Sequence, residues 1–225
     1  MVSMLKCKEW AQPFFRRISP ILFRELLRFL RVYYFFFRGN KKKELTALRL
    51  QTRVGVKHLY NAFSHPRRTV WTTMFVPSEI LFAMGLYPFC LEIGAALFAG
   101  LGQSSHGLLE AESYGVPTDI CTFHRSAIGH TFRNLFPRNI LQVATTTLCD
   151  NNTKTMKICE SVTGKETIVI DVPYEADDYS VKYLTRQLED FTRRLEEITG
   201  RRRNHAALER AIEYSNKTRE KMLEV

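Results

Sequence analysis

The clearest pattern of apolar and polar positions lies near the C-terminus of the chain. Apolar residues recur there at steps of four and three, which is the spacing of one face of an α-helix. This stripe consists of Leu184, Leu188, Phe191, Leu195 and Ile198. Gly200 follows the stripe, and a glycine in that position commonly ends a helix. A second helix is predicted from about Asn204 onward, so residues 176–225 are expected to form a helical C-terminal segment.

Between residues 66 and 175, short β-rich runs alternate with helical segments. Four strands are predicted, at residues 69–75, 87–93, 139–148 and 167–172. Pro77 begins a helix between the first two strands, and a longer helix is predicted over residues 97–114. Alternation of this kind is typical of a buried parallel sheet. The pattern therefore predicts an α/β fold with helical extensions on both sides.

The first 65 residues are predicted to form a basic helical extension. Ser19 and Pro20 are typical of a helix start, and Gly39 and Asn40 of a helix end. Residues 1–70 carry 16 Lys or Arg and three acids, so the net charge of +10 comes from this part of the chain. Because no groove-reading motif accompanies these bases, we expect no nucleic-acid partner. A docking face for an acidic partner subunit, or packing on the chain's own domain, is favoured over binding to an anionic membrane.

The chain has five cysteines, which are Cys7, Cys90, Cys121, Cys149 and Cys159. Their odd number, their irregular spacing and the lack of a secretion signal argue against a disulfide framework. We therefore expect a cytoplasmic protein, and no stretch is apolar and long enough to span a bilayer. Separated cysteines in a reducing compartment are either buried small side chains or metal ligands. Their spacing does not fit a zinc ribbon, whereas iron–sulfur clusters can be held by widely spaced thiolates.

Several common catalytic motifs are missing. Gly100-Leu101-Gly102 lacks the third glycine of a dinucleotide-binding fingerprint, and the turn at Gly164 lacks the upstream glycine of a phosphate loop. Neither HExxH nor GxSxG occurs, so nothing in the sequence supports a hydrolase.

Five segments, in order along the chain, point to a specific family. Residues 76–90 resemble the "PxEL…AxGxxPV" opening of the 2-hydroxyacyl-CoA dehydratase / benzoyl-CoA reductase family, and residues 111–125 resemble its "AE…G…D-C-S-[FY]-x-R" cluster segment. Three further segments continue the resemblance, at residues 149–151, 170–173 and 195–200. Together they cover about residues 50–225, and they are similar to only the N-terminal half of the family's pattern.

The resemblance implies Rossmann-like α/β domains and a [4Fe-4S] cluster held by three cysteines. It places a Rossmann-like, cluster-binding domain at residues 66–175, and residues 176–225 would lead to a second domain absent from this chain. Cys90 and Cys121 match the first two cluster ligands. The third normally lies in the second domain, although Cys149 could supply it locally. The chain would then be either a truncated subunit or one whose second domain is encoded separately.

Three further side chains receive roles from the resemblance. Arg125, with His124, would contact cluster sulfurs or CoA phosphates, and the alternative is a structural salt bridge from Arg125 to Glu112 or Asp119. Glu79 would act as a catalytic base or orient a ligand, and the alternative is a favourable acid in the first turn of a helix.

The activity implied by the resemblance is the elimination of water from a 2-hydroxyacyl-CoA. An ATP-dependent activator protein would pass one electron to the cluster, the thioester would become a ketyl radical that expels the hydroxyl group, and the electron would be recovered at the end. The implied partners are a second dehydratase subunit, the activator and the acyl-CoA substrate. Two alternatives stay open: an ATP-driven acyl-CoA or double-cluster reductase of the same family, and a non-catalytic partner-binding remnant.

Overall fold

The computed structural model describes residues 20–31 and 44–224. Several sequence-based predictions lie outside these residues, namely Cys7, the helix start at Ser19 and the helix end at Gly39 and Asn40. The division of the chain at residues 65 and 175 stays a prediction.

The sheet has four parallel strands in the described residues. They are β1 (Thr69–Thr72), β2 (Tyr87–Cys90), β3 (Leu141–Thr145) and β4 (Thr167–Ile170), in the spatial order β2-β1-β3-β4. Trp71 is the partner of Phe89 in β2 and of Gln142 in β3, and Val143 is the partner of Ile168 in β4. All four strands lie where the sequence pattern predicts them, which confirms the Rossmann-like α/β fold.

Nine helices are found in the described residues. They are α1 (residues 20–31), α2 (Glu44–Ser64), α3 (Ser78–Ala83), α4 (Leu91–Gly100), α5 (Ser104–Ser113), α6 (Thr122–Phe132), α7 (Asn151–Thr163), α8 (Asp178–Thr199) and α9 (His205–Leu223). The predicted C-terminal helices are confirmed: Gly200 ends α8 with a φ of 66°, and the Asn204 side chain caps α9 by accepting a hydrogen bond from the Ala207 amide. No described helix is apolar over a length sufficient to cross a bilayer.

The observed strands are shorter than the predicted runs, with the first ending at Thr72 and the third covering Leu141–Thr145, and two further predicted boundaries are wrong. The second strand ends at Cys90, and residues 91–93 begin α4, because a short apolar run does not by itself distinguish a strand from a buried helix. The helix predicted over residues 97–114 is two helices. Gly102, with a φ of 70°, lies in the turn that separates α4 from α5.

Alternate side chains of the strands enter two separate cores, one on each face of the sheet. Val70, Leu141, Val143 and Ile170 pack with α3 and α8. Trp71, Phe89 and Ala144 point to the opposite face, which is covered by α1, α2 and α4–α7. The order of the strands reverses between β1 and β3, and ligands of such sheets bind beyond the carboxyl ends of the strands near this point. The loops at that edge are therefore the first place to look for a site.

Candidate cysteine site at the carboxyl edge of the sheet

Cys90 lies where β2 ends and is the N-cap of α4. Its thiol donates a hydrogen bond to Glu92 Oε2 at 3.2 Å, and the other carboxylate oxygen of Glu92 accepts one from the Met74 amide at 3.3 Å. Met74 follows β1, so Glu92 connects the ends of two neighbouring strands. Burial, and then the charge of Glu92, raise the pKa of Cys90 to about 12. At neutral pH this thiol is therefore protonated.

Cys121 is the exposed N-cap of α6, and His124 lies in the first turn of that helix. Burial lowers the pKa of His124, and the nearby negative charge of Glu92 opposes this effect. Because α4 packs against α6 and Glu92 interacts with His124, the first turns of the two helices lie beside each other. His124 Nδ1 is buried and has no hydrogen-bond partner among the described residues. We call Cys90, Glu92, Cys121 and His124 the cysteine site.

Arg125 supports the segment that precedes Cys121. Its side chain is buried, and Nη1 donates a hydrogen bond to the carbonyl oxygen of Thr118 at 2.7 Å. The same nitrogen lies 3.6 Å from Glu112 Oε1, so the salt bridge to Glu112 considered above is formed. Glu112 lies in the last turn of α5, and Thr118 lies in the segment between α5 and α6. Arg125 thus fixes the backbone that carries Cys121.

Glu79 lies in the first turn of α3, as the alternative interpretation requires. Its Oε1 accepts a hydrogen bond of 2.6 Å from the Ser215 hydroxyl of α9. The contact joins two helices on the α8 face of the sheet, which favours a structural role. A catalytic role for Glu79 stays a prediction.

The two remaining described cysteines have different surroundings. Cys149 follows β3 and is half-buried. Since β1 separates β2 from β3, the ends of these two strands are about 10 Å apart at the usual strand spacing. Cys159 is fully buried in α7, and burial raises its pKa to about 12. All four described cysteines are free thiols, as expected for a chain without a disulfide framework.

An iron–sulfur cluster needs several thiolate ligands, and the cysteine site contains two thiols. These thiols are the correct ligand type for such a cluster, and each lies at the N-terminus of a helix. At Cys90 the effects of burial and of Glu92 outweigh that of the helix and keep the thiol protonated without a metal. In residues 20–31 and 44–224, however, no group of three or more His, Cys, Asp or Glu side chains is arranged to hold a metal ion. The described residues therefore offer two thiols of the correct type but do not form a complete site.

Sequence reasoning named both cysteines and His124 but gave no role to Glu92. The sequence did contain one indication of such a role for Glu92. It lies two residues after Cys90, and a strand over residues 87–93 would place both side chains on the same face. The electrostatic interaction between Glu92 and His124 could not be predicted from the sequence, since it depends on how α4 packs on α6.

The fold and the site define a class of protein: a parallel α/β domain with two helix-capping thiols at the carboxyl edge of its sheet. A family model described as "2-hydroxyglutaryl-CoA dehydratase, D-component" matches residues 73–225, and the chain belongs to this family. It is also similar to the (R)-phenyllactyl-CoA dehydratase alpha subunit of Clostridium sporogenes, with 24% identity over 193 residues. That alignment covers 82% of this chain and 47% of the relative, so the chain spans about half the length of the curated relative it matches. The family predicted from the motifs is confirmed.

Proposed function

We propose that this chain provides the cluster-binding domain of a subunit of a 2-hydroxyacyl-CoA dehydratase, with Cys90 and Cys121 as two thiolate ligands of a [4Fe-4S] cluster. The observation that carries the proposal is the placement of these two cysteines at the N-termini of adjacent helices, beyond the carboxyl edge of the sheet. Membership of the dehydratase family and the printed function of the C. sporogenes relative support the same assignment.

The residues around the cysteines suit this role. A thiol must lose its proton to bind metal. The charge of Glu92 disfavours a free Cys90 thiolate, so a metal cation would have to displace the proton, and Glu92 Oε2, which accepts the hydrogen bond of the thiol, is placed to receive it. Arg125 holds the backbone before Cys121 through Thr118, which keeps the second thiol in place. A bound cluster would supply one-electron chemistry for the removal of water from a 2-hydroxyacyl-CoA thioester. The proposal includes a second dehydratase subunit and an ATP-dependent activator protein as partners.

We propose that the third ligand comes from the second domain, since Cys149 follows β3 and β3 is not adjacent to β2. Cys149 is the local alternative. The two hypotheses differ in one measurable respect, which is whether the present chain binds a cluster alone and loses it on Cys149→Ser.

The test is anaerobic reconstitution with iron and sulfide, followed by iron quantification and EPR of the dithionite-reduced protein. With the third ligand in the second domain, we expect little iron on the present chain; any iron that it does bind should be lost in Cys90→Ser and Cys121→Ser and kept in Cys159→Ala, the control in the core. A cobalt(II) titration is the second measurement, because thiolate-to-cobalt absorption requires the two thiolates but not a complete cluster. Iron and cobalt binding that is unchanged in both Cys90→Ser and Cys121→Ser would refute the proposal.

Alkylation by iodoacetamide tests the environment of each thiol without any metal. Cys121 is exposed and should react fastest at pH 7.5, whereas Cys90 and Cys159, whose pKa values are raised to about 12, should react slowly. In Glu92→Gln the negative charge beside Cys90 is removed, so Cys90 should react several-fold faster while Cys159, the internal control, stays slow. Peptide mass spectrometry measures both rates. An unchanged rate at Cys90 would contradict the contact with Glu92.

A further inference from the structure

A cleft of about 650 Å³ opens at the amino edge of the sheet, opposite the cysteine site. One wall is formed by Pro66 and Arg67, which precede β1. A second is formed by residue 134 and residues 136–140, which precede β3, and a third by Thr163 and Lys165, which precede β4. Trp71, Phe132 and Phe136 add aromatic surface. The volume lies within the range of small-molecule sites, about 300–1,000 Å³.

Each of the three loops that lead into β1, β3 and β4 contributes one cation to this cleft. The cations are Arg67, Arg138 and Lys165, all of which are exposed. The three strands are neighbours in the sheet, so the starts of the outer two are separated by about 10 Å. No acidic residue lines the cleft, and none of the three cations forms an ion pair with another described residue.

The nearest acids along these loops are engaged elsewhere. Glu166, next to Lys165, forms a 2.7 Å salt bridge with Arg194 of α8. Glu160 of α7 pairs with Lys157 at 2.8 Å and accepts a hydrogen bond from the Thr167 amide. The positive charges of the cleft are therefore not neutralised by their neighbours, and their combined field attracts anions.

Two of the three cations lie on backbone that is held in place by buried contacts. The indole of Trp71 donates a 2.8 Å hydrogen bond to the carbonyl oxygen of Pro137, which fixes the loop at Arg138. The Thr163 hydroxyl oxygen accepts hydrogen bonds from the side chain of Gln142 and from the Lys165 amide, which fixes the turn at Lys165. Cations held in this way lose less freedom when a ligand binds.

We propose that this cleft binds the phosphate groups of a small ligand, with Arg67, Arg138 and Lys165 as the cations that contact them. Guanidinium and ammonium groups form strong, charge-assisted hydrogen bonds to phosphate oxygens. The cleft is larger than one phosphate needs, and Phe132 and Ile140 offer apolar surface to the rest of a ligand. The phosphates could belong to a nucleotide-like molecule or to a free inorganic diphosphate. The proposal does not depend on the cluster or on the dehydratase activity.

Isothermal titration calorimetry with ADP and with inorganic pyrophosphate tests the proposal on the chain as it is. We expect both probes to bind, and Arg138→Glu to weaken the binding at least about tenfold, because it removes one charge-assisted contact and adds a repulsive one. Arg67→Glu and Lys165→Glu should act in the same direction. Arg219→Glu on α9 is the matched control, since it changes the net charge equally at an exposed position outside the cleft. Circular dichroism checks that each variant is folded.

The probes also separate the two sources of phosphate. Tighter binding of ADP than of pyrophosphate would identify a nucleotide-like ligand, and equal binding would identify recognition of the diphosphate alone. Either result supports phosphate recognition if the three substitutions in the cleft weaken the binding of the probe. The proposal is overturned if neither probe binds, if Arg138→Glu binds as tightly as the unmodified chain, or if Arg219→Glu weakens binding equally. It is also overturned if a polyglutamate peptide binds at the cleft while ADP and pyrophosphate do not bind, because the surface would then recognise an acidic protein segment.

Discussion

The two faces of the parallel sheet are packed by different means. On one face, Phe191 and Leu195 of α8 pack against aliphatic side chains of the strands. This contact is made between side chains. On the other face, α5 and α6 approach each other so closely that Gly107 and Gly129 meet. A Cβ atom built on Gly129 would overlap the carbonyl group of Gly107. The backbones themselves are therefore in contact.

The face covered by α5 and α6, where Gly107 meets Gly129, is called the glycine-packed face. It also contains a buried polar side chain that has no hydrogen-bond partner among the described residues. His130 of α6 is fully buried, and neither ring nitrogen has a hydrogen-bond partner among the described residues. Its ring lies 4.5 Å from that of Phe98 between centroids, and a Cβ atom on Gly107 would lie 2.9 Å from Nε2. The comparison shows that side-chain contacts can adjust to small changes, whereas a backbone contact leaves no room to do so.

The largest effect is expected from Gly129→Ala. The added methyl group collides with backbone, which cannot rotate away as a side chain can, so we expect a loss of at least about 3 kcal/mol in the free energy of unfolding, or no folding at all. Urea denaturation followed by circular dichroism measures this change in the free energy of unfolding.

Gly55→Ala is the matched control for this substitution. Gly55 lies inside α2, and a Cβ atom there meets nothing within 4 Å. Alanine should stabilise the protein by up to about 1 kcal/mol, because glycine is the poorer helix former. If both variants change stability in the same direction and by similar amounts, the close approach of α5 and α6 is not present in solution.

A smaller, pH-dependent effect is expected from His130. Burial, followed by the positive charges of Arg133 and His106, lowers the pKa of His130 from 6.5 to about 4. Between these values the unfolded chain binds a proton that the folded chain does not. The stability that depends on a neutral His130 is therefore fully present above pH 6.5. It is lost as the pH falls towards 4, which lowers the free energy of unfolding by about 3 kcal/mol at most.

His130→Leu removes this group from the titration. The difference in unfolding free energy between pH 7.5 and pH 4.5 should shrink in the variant, although the carboxylates still contribute to it. His65→Gln is the control, because it removes a histidine from an exposed position. An equal pH dependence in His130→Leu and in the unmodified chain would show that His130 is not buried in its neutral form.

The sequence predicts the α8 face better than the glycine-packed face for a physical reason. A stripe such as Phe191 and Leu195 depends on spacing within a single helix, which can be counted along the chain. The backbone contact of Gly107 with Gly129 depends on the packing of two helices, and so does the electrostatic interaction of Glu92 with His124 at the cysteine site. Motif similarity singled out Cys90 and Cys121, whose role as ligands stays a prediction, whereas Glu92 could be placed beside this region only once α4 was seen to pack on α6.

The smallest effect is expected at the outer layer of the α8 face, where Ser215 of α9 donates a hydrogen bond to Glu79 of α3. No residue within α9 is buried, so this helix is held by partly exposed contacts. Ser215→Ala should lower the free energy of unfolding by about 1 kcal/mol, the usual contribution of one such hydrogen bond. A double-mutant cycle with Glu79→Ala isolates the contact, because the second substitution should cost little once the first is made. Fully additive losses would mean that Glu79 does not contact α9, and its carboxylate would then be available for the catalytic role that the motif suggests.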